Sequence, residues 1–220
     1  MIGIIKKDIV MSLLFVLLIF VLEFVYGYAA WDMVQKYASS SLLLVCNTIF
    51  VVLFSHFILT EQAEAKSNGY GFVKTLPLRT GEIVAGKFVL VLFIAVLYVF
   101  FTVFVVGLFA KPPEFITFWH AYIVFCAVLS MNITAVLYIA LYKFGFSNFF
   151  KILVQFLGPV CLVVTFIFWF SFRDVLKQKY YTLILSLFNY TNIFIFVFFG
   201  LILFICLMIL SIQVYNRNKF

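Results

Sequence analysis

Charge is what this sequence has least of: only 10% of its residues are Asp, Glu, Lys or Arg, while 67% are apolar. A soluble chain needs a charged exterior around its apolar core, and too few charges exist here to cover one. An ordinary water-soluble domain is therefore excluded, and the exterior must be solvated by lipid. Histidine is also scarce, with only His56 and His120, far apart in sequence and expected on opposite faces of the membrane. An integral membrane lipid enzyme, which needs His, Asp, Glu or Ser clustered near one interface, is thus a poor fit, and no catalytic residue is assigned. The four cysteines, Cys46, Cys126, Cys161 and Cys206, form no CxxC pair and all sit in apolar runs. They read as buried free thiols, giving no disulfide framework and no metal site. The net charge of +7 is spread without a contiguous basic patch, so nucleic acid is not an expected partner.

What is abundant is long apolar sequence. Runs cover residues 9–31, 39–59, 88–109, 118–142 and 152–172, and a last apolar region covers 180–214. A bilayer core about 30 Å thick takes about 20 helical residues to cross. The last region is too long for one straight crossing, and Asn189-Tyr190-Thr191-Asn192 interrupts it. It reads as a partial or interfacial helix followed by a span over 192–214, with two short spans as the rival. The expected architecture is all-α: a single polytopic domain over 1–220 with six transmembrane helices. Six spans use about 120 residues, leaving short loops and no room for a second catalytic domain of ordinary size.

Orientation follows from Lys and Arg. Lys6, Lys7, Lys66, Lys74, Arg79, Lys87, Lys143, Lys151, Arg217 and Lys219 fall on one side. Only Lys36, Lys111, Arg173, Lys177 and Lys179 fall on the other, so both termini are expected in the cytoplasm. The excess of positive charge then reflects topology and contact with anionic lipid. The first run is read as a retained span, because a cleavage site after Ala30 would want a small residue where Tyr28 stands.

The sizeable polar segment is residues 60–87, between the second and third spans. Glu61, Ala63, Glu64, Ala65 and Lys66 favour continuation of the second helix into the cytosol. Asn68-Gly69-Tyr70-Gly71 breaks it. A short amphipathic piece follows, with Phe72, Val73 and Leu76 near one face, and Pro77 ends it. Thr80 or Gly81 starts the next helix, and Lys87 sits where that helix enters lipid and can snorkel. Gly81 to Lys87 fits GxxxxGK, but Phe88 stands where a nucleotide loop needs Ser or Thr to ligate magnesium. No strand precedes it, so no nucleotide site is expected.

The ordered set of Glu61 and Glu64, then Gly69, Thr75-Leu76-Pro77-Leu78-Arg79, Glu82-Ile83-Val84 and Gly86-Lys87 resembles the ABC-2 type permeases. These are the membrane subunits of ATP-binding-cassette exporters, and the likeness is closest to their small bacterial branch. The resemblance implies a bacterial cytoplasmic-membrane protein that dimerises, as a homodimer or heterodimer. It implies no ATPase in this chain, which binds no cofactor itself; ATP and Mg would sit on separate cytoplasmic ABC ATPase subunits. It further implies a coupling helix in the first cytoplasmic loop, docked in a groove of the ATPase. By position the coupling residues are Glu61, Glu64, Gly69, Phe72, Val73, Leu76 and Pro77. An amphipathic helix suits a groove, and the other reading lays the same apolar residues on the membrane surface. The implied function is export of a hydrophobic or amphipathic substrate, with peptide toxins, bacteriocins and drugs as the classes in view.

Polar residues inside apolar runs are the remaining candidates. Glu23 interrupts the first span; it either lines the route or dimer seam and helps bind a cationic group, or reaches the outer headgroups. Asn47 and Gln155 are further candidates for the substrate pathway. Thr48, Ser55, His56, Ser130, Asn132, Thr134 and Thr165 are expected mainly to hydrogen-bond between helices. Gly158-Pro159 is expected to kink the fifth span. An ion-coupled secondary transporter, the rival transport class, wants paired intramembrane charges or an internal repeat, and neither is visible.

Overall fold

The computed structural model describes residues 21, 49–50, 52–62, 79–109, 116–152 and 190–217. Among these residues all regular structure is helical. We label α1 the stretch over 49–62 (residue 51 excepted), α2 Thr80–Phe109, α3 Ile116–Phe144, α4 Phe146–Ile152 and α5 Tyr190–Arg217. The first apolar run apart from residue 21, the early part of the second, the fifth beyond residue 152, and the loop segment 63–78 lie outside the described residues.

Local chemistry sets the ends of these helices. The Arg79 carbonyl accepts the first two turn bonds of α2, from Glu82 N at 2.9 Å and Ile83 N at 3.4 Å. Glu82 reaches back, its Oε2 accepting from the Arg79 N–H at 3.3 Å. This is the return half of a capping box, and it also puts an anion at the positive end of the helix. The apolar run over 88–109 is thus the later part of one helix that begins in the loop. At the other boundary, Gly145 has φ 75° and donates its N–H to the Leu141 carbonyl at 2.9 Å. A side chain is disfavoured at that φ, so glycine ends α3 and lets α4 leave at a new angle.

Among the described residues, three helical segments are long and apolar enough to cross a membrane: Gly81–Phe104, His120–Phe144 and Thr191–Arg217. At 1.5 Å per residue each exceeds the hydrocarbon thickness of about 30 Å. Their outer surfaces argue the same way. On α2 the exposed positions Val89, Phe93, Val96, Phe100 and Phe104 recur at helical spacing, and all are large and apolar. A helix in water would carry polar groups there. On α5 Phe194, Phe198, Ile202, Ile205 and Ile209 are likewise exposed.

Cross-helix contacts give the directions. Phe125 meets Phe196, Asn132 meets Gly200 and Tyr142 meets Tyr215, so α3 and α5 run parallel. Gly81 lies against Ile212 and Phe88 against Phe204, so α2 is antiparallel to α5. The α3–α5 contact is the most extensive, with α2 against α3 next. The core lies along this seam and at the α1 end, where Phe57, Phe88, Tyr98 and Tyr138 are nearly inaccessible. Of the two described cysteines, Cys126 is buried as expected, whereas Cys206 stands on the outer face of α5. Its apolar neighbours Leu203 and Ile205 are exposed as well, so an apolar run does not by itself mark a protein core.

Candidate functional site

The described residues hold one buried ion pair, and it joins the last described turn of α1 to the start of α2. Lys87 Nζ donates to Glu61 Oε1, with the two residues 4% and 1% exposed. Glu61 lies near the end of α1, and Lys87 lies two turns into α2. The ammonium also sits 5.8 Å from the centre of the Tyr138 ring on α3, within cation–π range. Lys87 therefore turns inward, where the sequence reading had it snorkelling toward headgroups; a buried carboxylate offers it a better partner than the interface does.

Around the pair the packing is aromatic. Phe57 meets Tyr138 edge-on at 4.8 Å and Phe149 of α4 at 5.7 Å. Phe88 lies 5.7 Å from the same tyrosine. Tyr138 stacks on Tyr142 at 5.9 Å, and Tyr142 meets Tyr215 of α5 edge-on at 5.0 Å. One continuous set of rings thus joins all five helices at the end where the pair lies. Such contacts are favourable individually by about 0.5–1.5 kcal/mol beyond area burial, and they are directional.

His56, expected to hydrogen-bond between helices, lies one turn before Thr60 and is 1% exposed. Its Nδ1 has no hydrogen-bond partner among the described residues. Thr60 Oγ1 donates to the His56 carbonyl at 2.9 Å, so that hydroxyl is satisfied inside its own helix.

A second polar contact lies midway along the α3–α5 seam. Asn132 Nδ2 donates to the Val128 carbonyl at 2.8 Å and to the Gly200 carbonyl at 3.2 Å. The close approach requires Gly200, because a Cβ there would overlap Val128 Cγ1. Asn132 accordingly bonds between helices, as expected. Ser130 and Thr134 do not: their hydroxyls donate to Ala127 and Ser130 carbonyls, each at 2.9 Å. Back-bonding within one helix is always in reach of a short hydroxyl, while a neighbour must be placed by packing.

Of the residues named for ATPase coupling, Glu61 is described, and it faces Lys87. Glu64, Gly69, Phe72, Val73, Leu76 and Pro77 lie outside the described residues, as do Glu23, Asn47 and Gln155. Among the described residues no group of three or more His, Cys, Asp or Glu could hold a metal ion. Tyr138 was missed from sequence, since it looks like any aromatic in an apolar run; its only signal is its place about two turns before the Gly145 break.

Two facts can be set beside this geometry. A family model described as ABC-2 family transporter protein matches residues 3–216. No curated protein and no solved structure matches the chain.

Proposed function

The chain belongs to the ABC-2 family of transporter proteins, and from that premise we propose that it is the permease subunit of an ATP-binding-cassette exporter. It moves a hydrophobic or amphipathic substrate, of the peptide or drug class, outward across a bacterial cytoplasmic membrane. The energy comes from ATP hydrolysed, with Mg, on separate ABC ATPase subunits, and a second permease subunit completes the membrane half.

The observation that carries the reading is the family match, which covers residues 3–216. The described helices fit the later part of a six-span path. The ion pair brings the end of α1 and the start of α2 to one end of the bundle. The chain leaves α3 at that same end and re-enters at the far end as α5, because those two helices are parallel. One crossing within residues 153–189 meets that need, and the Lys and Arg distribution puts the α1–α2 connection in the cytoplasm. There the segment around Phe72, Val73 and Leu76 is the docking piece for the ATPase, with Gly69 and Pro77 bounding it and Glu64 on the approach.

Affinity purification of the full chain from its native membrane should retain an ATP-binding-cassette ATPase whose turnover rises in the complex. The double substitution Phe72→Asp with Leu76→Asp should release it. If no such ATPase is ever retained, or the double variant transports as well as wild type, the proposal fails.

A further inference from the structure

The Glu61–Lys87 pair asks for an explanation that stability does not supply. Two charges that leave water together are on balance no better than packed apolar side chains of the same volume. What such a pair adds is register, because only one arrangement of the two helices brings the charges together. Its position gives that register a use. Glu61 stands just before the chain enters residues 63–78, and Lys87 stands soon after it leaves them. From the pair, contact passes to Tyr138, and from that ring through Tyr142 to Tyr215 and through Phe57 to Phe149.

We infer that Glu61 and Lys87 are positioning residues that hold α1 and α2 as a single lever. A displacement applied to the segment between them then moves α3 and α5 instead of splaying α1 from α2. The inference rests on the permease reading above, since it needs a partner ATPase to apply the displacement. Neither residue need touch the ATPase, and neither need touch substrate.

The test uses the full chain with its ATPase in vesicles of phosphatidylethanolamine and phosphatidylglycerol. It reads three quantities: the ATPase retained on the chain, KM for MgATP, and the rise in kcat over the ATPase alone. The double variant Glu61→Gln with Lys87→Met keeps the volumes and removes both charges. It is expected to fold and to retain the ATPase with KM unchanged, while the rise in kcat falls by about fivefold or more. Exchanging the charges, Glu61→Lys with Lys87→Glu, is expected to return that rise to about the wild-type value. A double variant that stimulates the ATPase like wild type overturns the inference, since the pair would then matter only for packing. If neither the neutral nor the exchanged variant folds, the role is structural and the inference is equally overturned. If the wild-type chain retains no ATPase, the permease reading itself has failed, and that result is distinct from either of the others.

Discussion

Gly200→Ala tests the α3–α5 seam, and its effect can be worked out from the contacts. An added methyl would overlap Val128 Cγ1, yet lie 3.7 Å from both Val128 Cβ and Asn132 Nδ2, which is ordinary contact. One methyl of one neighbour is thus the whole obstacle. Val128 cannot easily swing away, because a β-branched residue in a helix has one strongly preferred rotamer. The helices must separate instead, which costs about 1–3 kcal/mol of overpacking. Separation also stretches the Asn132–Gly200 hydrogen bond of 3.2 Å, worth about 0.6 kcal/mol in a membrane bundle. Against this, alanine in a helix gains about 1 kcal/mol over glycine. The net effect of Gly200→Ala is a loss of about 0.5–2.5 kcal/mol. In a Val128→Ala background the obstacle is gone while the propensity gain stays. There the same substitution should be neutral or stabilise by up to about 1 kcal/mol. The assay is a double-mutant cycle on the full chain, unfolded reversibly in mixed micelles by raising the fraction of SDS. An effect of Gly200→Ala with the same sign and size in both backgrounds would refute the claim that Val128 and Gly200 meet.

The buried ion pair makes a second cycle. Lys87→Met should destabilise the chain by about 3–5 kcal/mol, because the Glu61 carboxylate stays buried without its partner, and adding Glu61→Gln should recover most of the loss; equal stability of the single and double variants would contradict this. Gly145→Ala should cost about 1–2 kcal/mol through the positive φ alone, with Gly145→Asn milder, as read from the same unfolding curves. Cys206 lies on the outer face of α5. In a chain whose other cysteines are replaced by serine or alanine, it should resist a membrane-impermeant maleimide in vesicles and react once detergent is added. Labelling by that reagent in intact vesicles would place this helix face in water.

How much was legible in advance depends on whether the cause was local. The start of α2 was readable at Thr80 or Gly81, because capping needs only Arg79 and Glu82 three positions apart along the chain. The apolar runs near 88–109, 118–142 and 192–214 fall within α2, α3 and α5. A backbone in lipid must satisfy its own hydrogen bonds, so an apolar run of sufficient length has little choice but to be helical. The candidate site was legible only in half. Glu61 stood out as an acid beside the second run, but its partner did not, because Lys87 is 26 residues away and looked like an ordinary interfacial lysine.

By itself, then, the sequence determined that this protein resides in a membrane, that the apolar runs near 88–109, 118–142 and 192–214 are helices, and which family it belongs to. Hydropathy, helix capping and motif order are all properties of neighbouring residues. The tertiary structure decided which polar groups meet: Glu61 with Lys87, Asn132 with the Gly200 carbonyl, and Ser130 and Thr134 with their own helix. The physical reason is that lipid erases the usual contrast between an apolar inside and a polar outside. On α2 Val84, Phe88 and Val91 face protein while Val89, Phe93 and Val96 face outward. No periodicity in so uniform a helix marks the face that packs. Only the shapes and the few polar atoms that have to find partners select it.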